Sequence, residues 1–417
     1  MSNTNQSCCD SAVKHTLNPL DDIIERLKKL ANPISETESV ALIDAHERVL
    51  AEDLVSTLNV PPTDNSAVDG YALNLDDFSE GKAFCISQRI PAGHQPETLE
   101  RGTAARIFTG ASIPAGANCV IMQEQATINE HNKEVTFSSQ PNAKQNIRPR
   151  GQDVQQGQVI LQKGLVLSPA RVGLIASIGI AKVKVFRRLK VAIFSTGDEL
   201  VEPGDKPSSS QIFNSNRYLL TGMLKSLNAD IVDLGLIPDQ LEATVKALNS
   251  ASDKADIIIS TGGASVGEED YVQSAIKSLG SIDFWRAAIK PGKPFMYGQI
   301  GETPVLGLPG NPGAVFVTFS VLARPFLLHK QGISDTKPQS YSLALDFDIK
   351  KSGPRREFLR VQRSQGNRLI RHPNQSSGML SSASWAEGFA VIKEHTQPKA
   401  GDSVEFIPFP SIFSLPV

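Results

Sequence analysis

With 417 residues, 40% of them hydrophobic and 21% charged, the chain has the make-up of a soluble globular protein of about two to four domains. Forty-two Lys plus Arg against 44 Asp plus Glu leave a formal net charge of -2, which argues against a nucleic-acid binder, and no run approaches the ~18 apolar residues of a membrane span. The four cysteines (Cys8, Cys9, Cys85, Cys119) have neither CxxC nor Cys/His ligand spacing, which argues against a disulfide framework or zinc site.

Residues 1–15 are polar, lack the apolar stretch of a signal peptide and read as a disordered lead-in. Cys85 and Cys119 read as small buried hydrophobes, and the cysteine usage suits a cytoplasmic location. In LDDIIERLKKL (20–30), Leu20, Ile23, Ile24, Leu27 and Leu30 share one helical face, with acids early and lysines late to match the helix dipole. A second helix is expected over about 36–50. Residues 59–75 mix Pro61, Pro62, Asn65 and Gly70 with Val68 and Tyr71, the mark of an ordered loop. From 83 to 140 short apolar runs alternate with Gly- and Pro-rich turns, predicting β-structure with a hairpin turning near His131–Asn132. An apolar helix follows from about Pro169 to Ile178.

Residues 190–330 change rhythm. The apolar segments VAIFS, DIVDLGLI, DIIIS, IDFWRAAI and PVLGL alternate with helical patterns near 215–227, 240–252, 270–279 and 312–328. That alternation predicts a doubly wound, mostly parallel α/β sheet with helices on both faces and its strand C-termini gathered at one ligand-binding edge. Residues 338–417 return to short strands, predicting a small β-barrel or sandwich.

Three loops would reach that edge: FSTGDEL (194–200), STGGASVGEEDY (260–271) and GLPGNPGAV (307–315). Gly262 and Gly263 let backbone amides approach an anion, and Asn311 and Pro312 suit an N-cap and first helical position. No GxxxxGK[ST] or strand-linked GxGxxG accompanies them, so ordinary ATPase and dinucleotide-dehydrogenase readings lose support. Glu199, Asp239, Glu268, Glu269 and Asp270 fall at or just after strand ends. Each could be a first-turn acid, yet carboxylates beside a phosphate loop are also how magnesium is held. In AAIKPGKPF, Lys290 and Lys293 flank a Pro-Gly turn, a pairing suited to a multiply charged oxyanion or to plain solvated surface.

DNSAVDGYA (64–72), STGDEL (195–200), GGASVGEEDY (262–271), IKPGKPF (289–295) and GLPGNP (307–312), in this order, resemble the molybdopterin molybdenumtransferase family, which includes bacterial MoeA and the gephyrin E-domain; the likeness spans roughly residues 20–400. The resemblance implies a multidomain α/β plus β architecture. After residues 1–15 come a helical linker and dimerisation domain (16–58 with 146–186), an inserted β-domain (59–145), an α/β domain like the molybdopterin adenylyltransferase fold (187–332) and a C-terminal β-barrel (333–417). It implies a cytoplasmic homodimer that inserts molybdenum from molybdate into adenylylated molybdopterin, with Mg2+-dependent phosphoanhydride cleavage and AMP release. Transient contacts with the adenylyltransferase and with acceptor molybdoenzymes would follow, and none with nucleic acid or membrane.

Residue by residue, the same resemblance implies catalytic roles for Asp64, Thr109, Asp153, Glu199, Asp239 and Asp270, with Glu199, Asp239 and Asp270 holding the metal. Gly262, Gly263, Ser265, Pro309 and Pro312 would meet the nucleotide and pterin phosphate. Arg286, Lys290, Lys293, Arg355 (or its neighbour Arg356) and Ser377 would meet the oxyanion. The chain departs from the family's commoner residues at Val68, Gln152, Arg286 and Ser376. Three rivals stand beside this reading: a tungstate-specific paralogue, a non-catalytic scaffold and a nicotinamide-nucleotide hydrolase sharing the sheet domain.

Overall fold

In the computed structural model, which describes residues 17–262 and 271–416, the chain builds three larger sheets joined by short two-stranded pairings. Helix Leu20–Leu30 forms as its periodicity requires, burying Leu20, Ile23 and Leu27 against the apolar helix that ends at Lys330. The helix expected over 36–50 is replaced by strand Thr37–Ala41 and a single 3-10 turn, Leu42–Asp44. That strand pairs antiparallel with Lys182–Phe186, and this tertiary pairing overrides the local helical composition. Leu54–Val55 likewise pairs with Val159–Leu161, so two segments distant in sequence are knitted together.

Between those segments lies a six-stranded sheet containing Gly70–Leu73, Phe84–Ile90, Thr103–Ile107, Cys119–Met122 and the hairpin Ala126–Asn129/Glu134–Phe137. Both its faces are packed: Tyr71, Phe84 and Ile121 on one, Ile90, Ile107 and Val120 on the other. Cys119 is buried, and burial pushes its thiol up to about 11. Cys85, expected to be buried, is exposed: strand Phe84–Ile90 alternates, and Cys85 takes an outward position.

The central sheet has the spatial order Asp230–Ile237, Lys190–Thr196, Ile257–Thr261, Thr303–Leu308, Pro294–Ile300, Ser281–Arg286. The first four run parallel. Pro294–Ile300, a strand the sequence reading did not place, runs antiparallel to both neighbours, so one strand of the six points its C-terminus away from the ligand edge. Successive residues of Lys190–Thr196 divide between two cores. Val191 and Ile193 meet helices Ser215–Ser226 and Pro312–Thr318, while Ala192 and Phe194 meet helices Leu241–Ser252 and Tyr271–Leu279.

Helix Pro312–Thr318 continues through a wide-turned stretch, Phe319–Ala323, into Arg324–Lys330. By length and composition this 19-residue run could cross a membrane, yet 78% of its apolar window is buried inside the fold, where it is the core helix. Residues 341–408 form a second sheet, which takes as its edge strand Ile289–Lys290, the segment that follows Ser281–Arg286 of the central sheet and pairs with Arg356–Glu357.

Candidate active site

The strand ends of the central sheet open into a cleft of about 660 Å³. Thr196, Glu199 and Leu200 line it after one strand, Thr261 and Gly262 after the next, and Pro309 to Pro312 after the third. The opposite wall is the turn Lys290–Pro294 together with Arg355 and the loop Gln375–Ser377 from the second sheet.

Glycine sets the close approaches. Gly262 has φ +88°, and a Cβ there would sit 2.9 Å from the Thr196 carbonyl oxygen. Gly292 has φ +107°, and its Cβ would come within 2.3 Å of Thr318 Cγ2, so the lysine-bearing turn can lie directly on the core helix. The Asn311 side chain does not cap that helix. Its amide donates to Ser377 Oγ at 3.3 Å, and the Ala314 amide donates to the Ser377 carbonyl at 3.1 Å, fastening the serine loop to the helix start.

Among the expected residues, Glu199, Gly262, Lys290, Lys293, Pro309, Pro312, Arg355 and Ser377 all line this one cleft. Asp239 stands at its back, accepting a 3.2 Å hydrogen bond from Thr196 Oγ1. Arg286 ends its strand near the cleft but is not part of the lining; its carbonyl accepts from the Asn18 amide. Gly263, Ser265 and Asp270, with Glu268 and Glu269, lie outside the described residues. Asp64, Thr109 and Asp153 do not reach the cleft. They sit on three interlocked turns elsewhere, where Asp64 Oδ1 accepts from the Arg150 amide (2.7 Å), the Asp64 carbonyl from the Ile113 amide, and the Val60 carbonyl from the Asp153 amide. Thr109 is held there by Asp69, whose Oδ1 accepts from both the Thr109 amide (2.8 Å) and hydroxyl (2.7 Å); these bonds hold the Asp69 carboxyl below its ordinary value.

The cleft is cationic on one wall and acidic on the other. Lys293 and Arg355 have no carboxylate partner among the described residues, whereas Lys290 is paired with Glu357 at 2.9 Å. The adjacent arginines separate cleanly. Arg356 is held bidentately by Asp21 (2.7 and 2.9 Å) and also meets Glu394, which leaves Arg355 as the one facing the cleft.

Sequence reasoning passed over Arg360. It is 1% exposed and has no carboxylate partner among the described residues; its guanidinium donates to Ser382 Oγ (3.1 Å) and to the Ser376 carbonyl (3.0 Å), and burial pushes it down to about 10. Gln375 clamps the same loop, accepting from the Arg360 amide and donating to the Arg360 carbonyl. Arg360 therefore shapes the floor under Ser376 and Ser377. Its signal was a charged residue inside the otherwise apolar run FLRV. Thr196 and Thr261 were also unremarked, although each ends a central strand at the edge where such sheets bind ligands.

Three family models match in succession: the MoeA N-terminal region (domains I and II) over residues 18–179, a probable molybdopterin binding domain over 192–329, and the MoeA C-terminal region (domain IV) over 342–409. A molybdopterin molybdenumtransferase of Haemophilus influenzae is 40% identical over 390 residues, covering 92% of this chain and 96% of the relative. One from a Nostoc species is 37% identical over 78% of this chain and 75% of its own length. The crystal structure of a molybdopterin biosynthesis MoeA protein from Pyrococcus horikoshii superposes with a TM-score of 0.83 at 30% identity, covering 94% of this chain and all of that one.

Proposed function

Since this chain belongs to the molybdopterin molybdenumtransferase family and is an enzyme of molybdenum cofactor biosynthesis, we propose that its sheet-edge cleft receives molybdate and adenylylated molybdopterin and joins the metal to the pterin dithiolene as AMP leaves. The observation that carries this reading is the meeting, in one cleft, of two cations without carboxylate partners among the described residues, Lys293 and Arg355, with the carboxylate of Glu199.

Lys293, Arg355 and the hydroxyl of Ser377 bind the oxyanion, as a guanidinium fork and an ammonium suit a dianion. The Gly262 backbone and the Pro309–Pro312 turn receive the phosphate-bearing part of the substrate. Hydrolysis of the phosphoanhydride needs a water oxygen to attack phosphorus while the bond to the AMP oxygen breaks. Glu199 or Asp239 takes the proton that water gives up.

Mg2+ fits the donor set. Among the described residues no three His, Cys, Asp or Glu side chains converge, but magnesium asks only for one or two carboxylates completed by phosphate oxygens and water. Glu199 and Asp239, with Asp270, would hold it, and when bound it neutralises phosphate charge. Thr196 Oγ1 keeps Asp239 oriented. Asp64, Thr109 and Asp153, which lie away from this cleft, serve in it when a second copy of the chain supplies them, in a cytoplasmic homodimer. Transient contacts with the adenylyltransferase and with acceptor molybdoenzymes deliver substrate and remove product.

The test is a turnover assay with adenylylated molybdopterin, magnesium and either molybdate or tungstate. AMP release with active cofactor from molybdate is expected. AMP release with tungstate alone would point instead to a tungstate enzyme, and none with either anion would overturn the catalytic reading in favour of a scaffold.

A further inference from the structure

Lys290 does not face the cleft as a free ammonium. Its Nζ lies 2.9 Å from Glu357 Oε1, and the two side chains differ in exposure, 50% for the lysine and 15% for the glutamate. The contact is fixed by backbone. Ile289 and Lys290 pair in parallel register with Arg356 and Glu357, and the Arg356 amide donates to the Ala288 carbonyl at 2.8 Å. The Ala287 amide donates to the Lys293 carbonyl and closes the turn on itself. Glu357 has no other side-chain partner among the described residues, because the neighbouring Arg356 is already bound by Asp21 and Glu394.

An ammonium carries three donors. One is committed to Glu357, and the others remain for an anion in the cleft, where Lys290 is part of the lining. A mostly buried carboxylate therefore sits directly behind one of the cations that would grip a dianion. It fixes the ammonium in place, and its own charge repels the anion the ammonium attracts. The remaining cations of that wall, Lys293 and Arg355, have no such counter-charge among the described residues.

We propose that Glu357 is a positioning residue for Lys290 and a counterweight that limits how tightly the cleft holds its oxyanion, so that the bound anion stays free to move on into product. This rests on the oxyanion reading of the cleft given above. A purely structural ion pair would instead lose anion affinity, or leave it unchanged, when Glu357 is altered.

The experiment is calorimetric titration of the full-length protein with molybdate, for wild type, Glu357→Gln and Glu357→Asp, alongside kcat and KM for molybdate. Glu357→Gln removes the charge and keeps the length. It is expected to bind molybdate about tenfold more tightly, from the lost like-charge repulsion at short range, with KM and kcat both lowered. Glu357→Asp keeps the charge but withdraws it by one methylene, and is expected to weaken binding by drawing Lys290 back from the cleft. Unchanged or weaker binding by folded Glu357→Gln overturns the counterweight, as does binding by Glu357→Asp equal to wild type should the glutamine variant not fold. Wild-type protein that binds no molybdate overturns the oxyanion reading and this inference with it.

Discussion

Two regions carry the residues expected to do chemistry, and they treat charge differently. In the sheet-edge cleft, Lys293 and Arg355 stand without carboxylate partners among the described residues, on walls contributed by four loops and a second sheet. On the surface that carries Asp64, Thr109 and Asp153, Asp64 is matched by the Arg150 amide, and Thr109 is fixed through its amide and hydroxyl to Asp69. The first region is left with charge for a ligand to satisfy. The second is negative where the first is positive: backbone amides and Asp69 hold Asp64 and Thr109 in place, and its carboxylates have no ion-pair partner among the described residues. Substitutions in the cleft should therefore act on turnover and anion binding, and only those that touch its scaffolding should act on stability.

The largest expected effect is Glu199→Ala. Glu199 is exposed and holds no ion pair among the described residues, so its loss should lower kcat by about 10²- to 10⁴-fold while leaving the thermal midpoint unchanged. Near-normal turnover would remove Glu199 from the chemistry and blur the contrast between the regions. Next comes Gly292→Ala, which sharpens the line between site and scaffold. The new Cβ meets Thr318 Cγ2 at a backbone angle that suits glycine, so urea denaturation should show a loss of about 1–3 kcal/mol, together with weaker molybdate binding. Adding Thr318→Ser deletes that methyl, keeps the hydroxyl that bonds the Ala314 carbonyl, and should recover part of the loss.

The smallest effect in free energy separates the neighbouring arginines. Arg355→Ala should raise KM for molybdate with stability intact. Arg356→Ala should leave KM alone and cost less than about 1 kcal/mol, since Asp21 is largely exposed and the pair is screened. Hydrogen bonding from Arg356, with its charge, holds the Asp21 carboxyl below its ordinary 3.8. The pair's contribution is thus present above that value and lost as pH falls through the lower folded one, so wild type and Arg356→Ala should converge in stability only in that acid range. A KM change in the Arg356 variant would show that the wrong arginine has been assigned to the cleft.

The elements legible from sequence were those whose signal is local. Helix Leu20–Leu30 follows from residues spaced three and four apart, and Ile257–Thr261 from the unbroken run of isoleucines that opens it. Thr37–Ala41 was misread because its strand character comes from Lys182–Phe186, far along the chain. Pro294–Ile300 was missed because it opens on proline, which a strand tolerates at its first residue. The cleft loops were legible for the same local reason, as turns after strands. What could not be read was pairing across distance. Asp21 and Glu394 decide between Arg355 and Arg356, Glu357 engages Lys290, and Arg360 looked like a strand residue until Ser376 and Ser382 were placed beside it.

Arg324, fully buried at the start of the last turns of the core helix, donates to the carbonyls of Thr336, Ser411 and Ile412, and burial pushes it down to about 10. Those last two acceptors, 87 and 88 residues further along the chain, can dock only after the helix that needs them has been made. Until they do, the guanidinium keeps its water, and the helix cannot seat fully against the later sheet. The seating of this helix is therefore completed by residues 411 and 412, and a chain truncated before them should stay sensitive to protease along Pro312–Lys330 while the earlier sheet of residues 70–137 is already protected.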